Sequence, residues 1–205
     1  MTIWGIAGTG MIARAFAASI KDSNNSSLKY VASRSKENSS KFAKKYECEA
    51  IEGYENLLTV DDYDALYIAT PHPQHFELSL KALQKGKAVL CEKPMTMNST
   101  EAMVLIEASR KNHATFMEAF MYRCHPLTHK MLELVKQEFS GQEVLIESSF
   151  GFTADVDEKH RLKNPELGGG SIMDIGCYPM SMVRLIAGNL LGNSCLLYTS
   201  PSPRD

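Results

Sequence analysis

The sequence predicts an α/β fold: a doubly wound parallel sheet over about the first 120 residues, then a smaller and incomplete α+β unit. Two observations carry this. Short apolar runs rich in β-branched and aromatic residues alternate with longer stretches of helical spacing, as in a parallel sheet with helices on both faces. The runs lack polar alternation, which suits strands buried on both sides. After about residue 122 the alternation stops.

Strands are expected at 3–7, 30–32, 65–69, 88–90 and 115–117, with helices at about 11–21, 36–46, 74–85 and 98–112. Asn24-Asn25-Ser26-Ser27 forms a polar loop after the first helix. Pro71 and Pro73 forbid regular structure just after the strand ending at Ala69. Asn98 or Ser99 caps the helix after Pro94, with Glu101 in its first turn. Leu127, Met131, Leu134 and Val135 repeat at helical spacing and predict a helix over 126–138. A strand is expected at about 143–152, a polar loop at 153–167 and a last helix at about 171–187, after Gly168-Gly169-Gly170. One strand cannot pair with itself, so the sheet of this second unit is expected to be unfinished. The expected organisation is a first domain at 1–122, a partial second domain at 123–194 and a non-native tail at 195–205. The last eleven residues, ending in Ser200-Pro201-Ser202-Pro203-Arg204-Asp205, resemble a translated sequencing-adapter read-through; the alternative is an ordinary Ser/Pro tail.

Composition narrows the function classes. The chain has 205 residues, 22 basic against 24 acidic, for a net charge of −2. Such a balance gives no electrostatic case for nucleic acid or an anionic membrane surface. At 44% hydrophobic and 22% charged it is a globular composition. No apolar run approaches the ~18 residues of a membrane span. Met1-Thr2-Ile3-Trp4-Gly5 shows no signal-peptide pattern. The five cysteines are scattered and form no C-x-x-C. Neither a disulfide framework nor a zinc site is expected, and the cytoplasm is the expected compartment.

The first chemical signal is Gly8-Thr9-Gly10-Met11-Ile12-Ala13, between a strand and a helix. Gly8 allows the tight turn, Gly10 lets the backbone approach a pyrophosphate, and Ala13 keeps the helix near the strand. The N–H groups of the turn and helix start, from Gly8 through Thr9, Gly10, Met11 and Ile12, are expected to hold a dinucleotide. The end of the second strand reads Ala32-Ser33-Arg34-Ser35-Lys36, with no carboxylate until Glu37. A carboxylate there would bind a ribose 2′-hydroxyl and repel a 2′-phosphate. Arg34 can pair with a 2′-phosphate, and Ser33 and Ser35 can donate to it, so NADP is expected over NAD. The alternative is that Ser35 caps the next helix while Arg34 is solvated.

Thr70-Pro71-His72-Pro73-Gln74-His75 and Glu92-Lys93-Pro94 follow two further strands, at the carboxyl edge where open α/β sheets bind ligands. Downstream come Met117-Glu118-Ala119-Phe120-Met121-Tyr122-Arg123-Cys124-His125-Pro126 and the stretch from Gly168 to Pro179, in which Asp174 and Tyr178 are four apart and would share a helix face. His72, His75 and His125 have no metal-ligand spacing and are read as structural or cofactor-contacting; no metal is expected. Met117, Met121, Met131 and Met173 are read as core filler.

In this order, the glycine fingerprint, Thr-Pro-x-x-x-His, Glu-Lys-Pro, Glu-Ala-x-Met-x-Arg-x-His-Pro and Gly-Gly-Gly-x-x-x-Asp-x-Gly-x-Tyr, the sequence resembles the Gfo/Idh/MocA oxidoreductases over about residues 2–188. The resemblance is to the branch with glucose–fructose oxidoreductase, NADP-dependent D-xylose dehydrogenase and dimeric dihydrodiol dehydrogenase. It implies a Rossmann-type domain followed by a substrate domain. Full-length members are about twice as long, so the chain is expected to be cut off inside that second domain.

The resemblance implies roles by position. Lys93 matches the catalytic lysine, Tyr178 the acid/base of this branch, and Asp174 an aspartate near the substrate. Thr70, Pro71, His72, His75, Glu92 and Lys93 are expected to contact the cofactor, and a cis bond is expected before Pro94. The implied activity is hydride transfer between NADP and a hydroxyl of a sugar or cyclic diol. Two alternatives stand: a glycoside hydrolase using bound NAD, and a non-catalytic NADP-binding fragment. The full-length form is expected to be a homo-oligomer. The residues fit the chemistry. Tyrosine, with a pKa near ~10, is a poor base at neutral pH, and a neighbouring Lys93 ammonium would favour its phenolate. Lys93 can also hydrogen-bond the developing alkoxide, while Asp174 orients the substrate or Lys93. The alternatives are a core role for Tyr178 and a helix-capping role for Asp174.

Overall fold

The computed structural model describes residues 1–157 and 160–192; the tail expected at 195–205 lies outside the described residues. The chain divides into two compact units: Met1–Ala119 with the described residues of Glu158–Gly169, and Phe120–Asp157 with the described residues of Gly170–Asp205.

The first unit carries strands β1 (Thr2–Ala7), β2 (Ser26–Ser33), β3 (Glu49–Glu52), β4 (Ala65–Ile68), β5 (Ala88–Glu92) and β6 (Phe116–Ala119). They form one sheet in the order β3-β2-β1-β4-β5-β6, with every pairing parallel. Between them run helices α1 (Met11–Lys21), α2 (Lys36–Tyr46), α3 (Tyr54–Leu58), α4 (His75–Gln84) and α5 (Ser99–Lys111). This is the Rossmann-like α/β architecture the alternation predicts. The strand order reverses between β1 and β4, which opens a crevice at their carboxyl ends.

The two-residue period of the strands sorts the core into two layers. Ala7, Ala32, Leu66 and Ile68 bury one face with Leu57, Leu78, Leu83 and Leu105. Ile6, Val31 and Tyr67 bury the other with Ala13, Ala17, Phe42 and Tyr46.

Two elements escape the sequence reading. β3 reads Glu-Ala-Ile-Glu with both glutamates exposed, so it shows no apolar run, and it is the edge strand beside β2. α3 is only five residues long, yet it contributes Leu57 and Leu58 to the core. A third difference lies after β4. The expected irregular stretch contains a 3-10 turn at His72–Gln74, because proline is tolerated in a first helical turn, where its missing N–H has no role. The cap of α5 is Asn98, whose side chain accepts from the Glu101 N–H at 2.9 Å.

The second unit contains helices α6 (Pro126–Phe139) and α7 (Cys177–Leu191). α7 is preceded by a π-helical turn at Ile172–Gly176 and runs four residues past the expected end. The strand expected over 143–152 does not form: residues 143–157 hold no regular structure. A strand needs a neighbour for its N–H and C=O groups, and this unit has no second strand among its described residues. Val144, Leu145 and Ile146 instead face Val135, Phe139, Ile186 and Leu190 around an apolar cleft of about 250 Å³. His125 accepts from the Leu127 N–H at 3.1 Å and caps α6, a structural role. No cluster of metal-ligating side chains occurs among the described residues, and no helix among them is long and apolar enough to cross a membrane.

Candidate functional site

The carboxyl edge of the first unit's sheet gathers four loops. The first is the glycine turn after β1. Gly8 has φ +117° and donates its N–H to the Ala32 carbonyl at 2.9 Å. A Cβ there would lie 2.4 Å from the Ala69 carbonyl oxygen, so the position requires glycine on two counts. Gly10 starts α1 in an extended conformation with no side-chain cap, and nothing lies within 4 Å of where its Cβ would be. The first turn of α1 thus has no side-chain cap and no acidic residue. The Arg14 guanidinium folds back on this turn, its Nε donating to the Thr9 carbonyl at 3.2 Å. Met11 stands exposed at the rim, and Ile12 is half-buried.

The second loop leaves β2. Ser33 is buried and its Oγ accepts from the Ser35 N–H at 3.3 Å. Ser35 does cap α2, accepting from the Asn38 N–H at 3.3 Å. A capping hydroxyl still has its own proton to donate, so the cap leaves room for a ligand contact. Arg34 is exposed and takes part in none of the described ion pairs, while Glu37 pairs with Lys41 at 2.6 Å.

The third loop follows β4. Thr70 is buried and its hydroxyl has no hydrogen-bond partner, as is also true of the Gln74 side-chain oxygen. His75 is fully buried, with Nε2 2.8 Å from the Thr70 carbonyl and Nδ1 2.8 Å from the Pro94 carbonyl. Carbonyls only accept, so the ring serves both at once only as the imidazolium. Burial disfavours that form and carries the pKa downward, against the pull of the two carbonyls and the Glu92 carboxylate. His72 is buried with Nδ1 3.3 Å from the Gly168 carbonyl, and burial, reinforced by His75, pushes its pKa down to about 4.

The fourth loop follows β5. The Glu92 carboxylate accepts from the Tyr67 hydroxyl and from the Lys93 N–H at 3.3 Å. Lys93 is half-buried and the Lys93–Pro94 bond is cis, as expected. Two carboxylates secure the loop: Glu118 accepts from the Met95 N–H at 2.9 Å and Glu101 from the Met97 N–H at 3.1 Å.

The structure thus places Gly8, Thr9, Gly10, Met11, Ile12, Ser33, Arg34, Ser35, Thr70, Pro71, His72, His75, Glu92 and Lys93 on the loops, strand ends and helix starts of one sheet edge. Sequence reasoning passed over Glu118, Gln74 and the segment 160–169. The motif Gly168-Gly169-Gly170 held a signal for the last: Gly168 has φ +70°, and a Cβ there would meet His72 and Met97.

Asp174 and Tyr178 belong to the second unit. Asp174 is buried in the π-helical turn, its N–H donating to the Gly170 carbonyl at 3.1 Å. Tyr178 lies in the first turn of α7 among three aromatic rings: Phe120 at 5.5 Å, Phe150 at 5.6 Å and Tyr122 at 6.2 Å between centroids. Ser181, one turn on, meets the Tyr122 hydroxyl at 2.8 Å and accepts from Arg123 at 3.1 Å.

Comparison with known proteins gives consistent results. Residues 3–120 match an oxidoreductase family with an NAD-binding Rossmann fold, GFO_IDH_MocA, and residues 128–199 match the GFO/IDH/MocA C-terminal domain. Trans-1,2-dihydrobenzene-1,2-diol dehydrogenase of Xenopus laevis is 37% identical over 188 residues, 90% of this chain and 56% of that protein. D-xylose 1-dehydrogenase (NADP(+)) 2 of Haloferax volcanii is 42% identical over 135 residues, 66% of this chain and 41% of that protein. The 3-ketoreductase of Actinomadura kijaniata, solved with NADP and TDP-benzene, superposes with a TM-score of 0.77 at 27% identity, covering 93% of this chain and 57% of that one. The chain spans about half the length of the curated relatives it matches.

Proposed function

This chain belongs to the Gfo/Idh/MocA oxidoreductase family, and from that premise we propose that it serves an NADP-dependent dehydrogenase acting on a CH–OH group of a sugar or cyclic diol. The observation that carries the cofactor reading is the end of β2: Arg34 exposed, flanked by Ser33 and Ser35, with no carboxylate at the position that would repel a 2′-phosphate. The glycine turn fits a dinucleotide as well, since α1 starts uncapped with open space beside Gly10 and the unpartnered Thr70 hydroxyl stands at the same edge. Relatives named for dihydrodiol and D-xylose oxidation support the substrate class. A homo-oligomeric cytoplasmic enzyme is the setting proposed with it.

When bound, the nicotinamide supplies the hydride acceptor. Tyr178 takes the hydroxyl proton of the substrate. Lys93 hydrogen-bonds the oxygen on which negative charge develops. Asp174 orients the substrate or the Lys93 ammonium. His72, neutral at physiological pH, and His75 shape the loop beside the cofactor.

The test uses the full reading frame, with NADP or NAD and a panel of aldoses and trans-dihydrodiols, followed at the reduced-nicotinamide absorbance band. NADPH formation with a preference for NADP is expected. Lys93→Met and Tyr178→Phe should each cut turnover on the order of 10²-fold or more while sparing NADP binding. Release of a sugar from an aryl glycoside without net NADPH would favour NAD-assisted glycoside cleavage instead. Nucleotide binding with no turnover on any substrate would leave only a nucleotide-holding scaffold.

A further inference from the structure

The peptide group between Pro94 and Met95 is gripped at both of its polar ends. Its carbonyl oxygen lies 2.8 Å from Nδ1 of His75, and its N–H donates to Oε1 of Glu118 at 2.9 Å. The two side chains come from opposite directions, His75 from the start of α4 and Glu118 from β6. The second nitrogen of His75 lies 2.8 Å from the Thr70 carbonyl, so the same ring also borders the loop after β4.

A peptide plane held at its C=O and N–H cannot turn without losing both hydrogen bonds. Its neighbour toward the N-terminus is the Lys93–Pro94 pair, and the backbone of Lys93 is in turn fixed by the Glu92 carboxylate at 3.3 Å. The next amide that can donate beyond Met95 on a well-defined side-chain acceptor is Met97, on Glu101. The loop therefore has little freedom at the point where it carries Lys93.

We propose that His75 and Glu118 are positioning residues that clamp the Pro94–Met95 peptide and so fix the direction in which Lys93 is presented at the sheet edge. The inference rests on the reading of Lys93 as a chemical group; the clamp itself is tested without turnover.

Two measurements on the intact chain decide it. Amide hydrogen exchange of the unaltered protein should show Met95 protected although it lies outside every helix and strand; exchange as fast as an open loop overturns the clamp. Acetylation by acetic anhydride, read by mass spectrometry at Lys93 with exposed Lys111 as internal standard, gives a pH profile for the Lys93 amine. Glu118→Leu removes the acceptor and should change the Lys93 rate at least threefold relative to Lys111. Glu118→Gln keeps an amide oxygen for the Met95 N–H and should restore it to within twofold. An unchanged profile in the Leu variant overturns the proposal, as does a Gln variant that behaves like Leu, which would assign the effect to charge alone. In the full-length enzyme, Glu118→Leu should lower kcat about tenfold with KM for NADP unmoved. A protein with a protected Met95 and a Gln-rescued profile but no turnover would keep the clamp and lose the catalytic role of Lys93.

Discussion

The carbonyl of Gly168 lies 3.3 Å from Nδ1 of His72, although 96 residues separate them in sequence. The contact closes a late segment of the chain over the turn that follows β4, inside the first unit. It depends on glycine: φ is +70°, and a Cβ would stand 2.9 Å from both that nitrogen and the Met97 sulfur. Gly168→Ala should therefore loosen residues 160–169 at a cost of about 1–3 kcal/mol. Limited proteolysis should cut that segment first, with the sheet intact; a cleavage pattern identical to the parent's would refute this account.

His72 also gives the protein a pH dependence. Its pKa falls from 6.5 to about 4 on folding, mainly through burial. Below pH 6.5 the unfolded chain takes up a proton that the folded chain refuses, so stability drops as the pH falls from 6.5 toward 4, by at most about 3 kcal/mol. His75, shifted in the same direction by burial, adds to the trend. Urea denaturation across this range should show a shallower slope for His72→Gln than for the parent protein.

Gly8→Ala should remove dinucleotide binding. The substituted residue would need φ near +117° and would force its methyl against the Ala69 carbonyl. Positive φ and the clash together should destabilise the first unit by more than about 2 kcal/mol. Thermal unfolding and nucleotide titration check the two effects separately. Gly10→Ala, with open space at its Cβ position, should keep the fold and weaken only the titration.

Arg34 and Ser35 should separate in their effects. Arg34→Ala is expected to weaken NADP about tenfold, the equivalent of ~1.4 kcal/mol, and to leave NAD unchanged. Ser35→Ala should cost about 1 kcal/mol of stability with either nucleotide, because it removes the cap of α2. Isothermal titration with both nucleotides distinguishes the two. Equal losses for NADP and NAD in Arg34→Ala would place that side chain away from the 2′-phosphate.

The parts of the fold visible in the sequence are those written in local patterns. The glycine turn and the alternation of β1, β2, β4, β5 and β6 with helices follow from residues within a few positions of one another, while the cis bond before Pro94 is expected from the family resemblance. β3 stayed hidden because its two outward glutamates interrupt any apolar run, and its pairing with β2 supplies what its composition lacks. The opposite error arose at 143–152, where a strand-like pattern has no partner to pair with. Glu118 escaped because it reaches the Met95 N–H, 23 positions away. A carboxylate at a strand end says nothing about which distant amide it will meet. The candidate site was legible as motifs; the bonds that hold the motifs in register were not.

The acidic margin at β3 has a consequence in concentrated solution. Glu49 and Glu52 both stand exposed along the only rim that β2 leaves on that side. Two molecules meeting rim to rim would set like charges against each other along the whole seam. Neighbouring sheets are thereby discouraged from fusing along that margin.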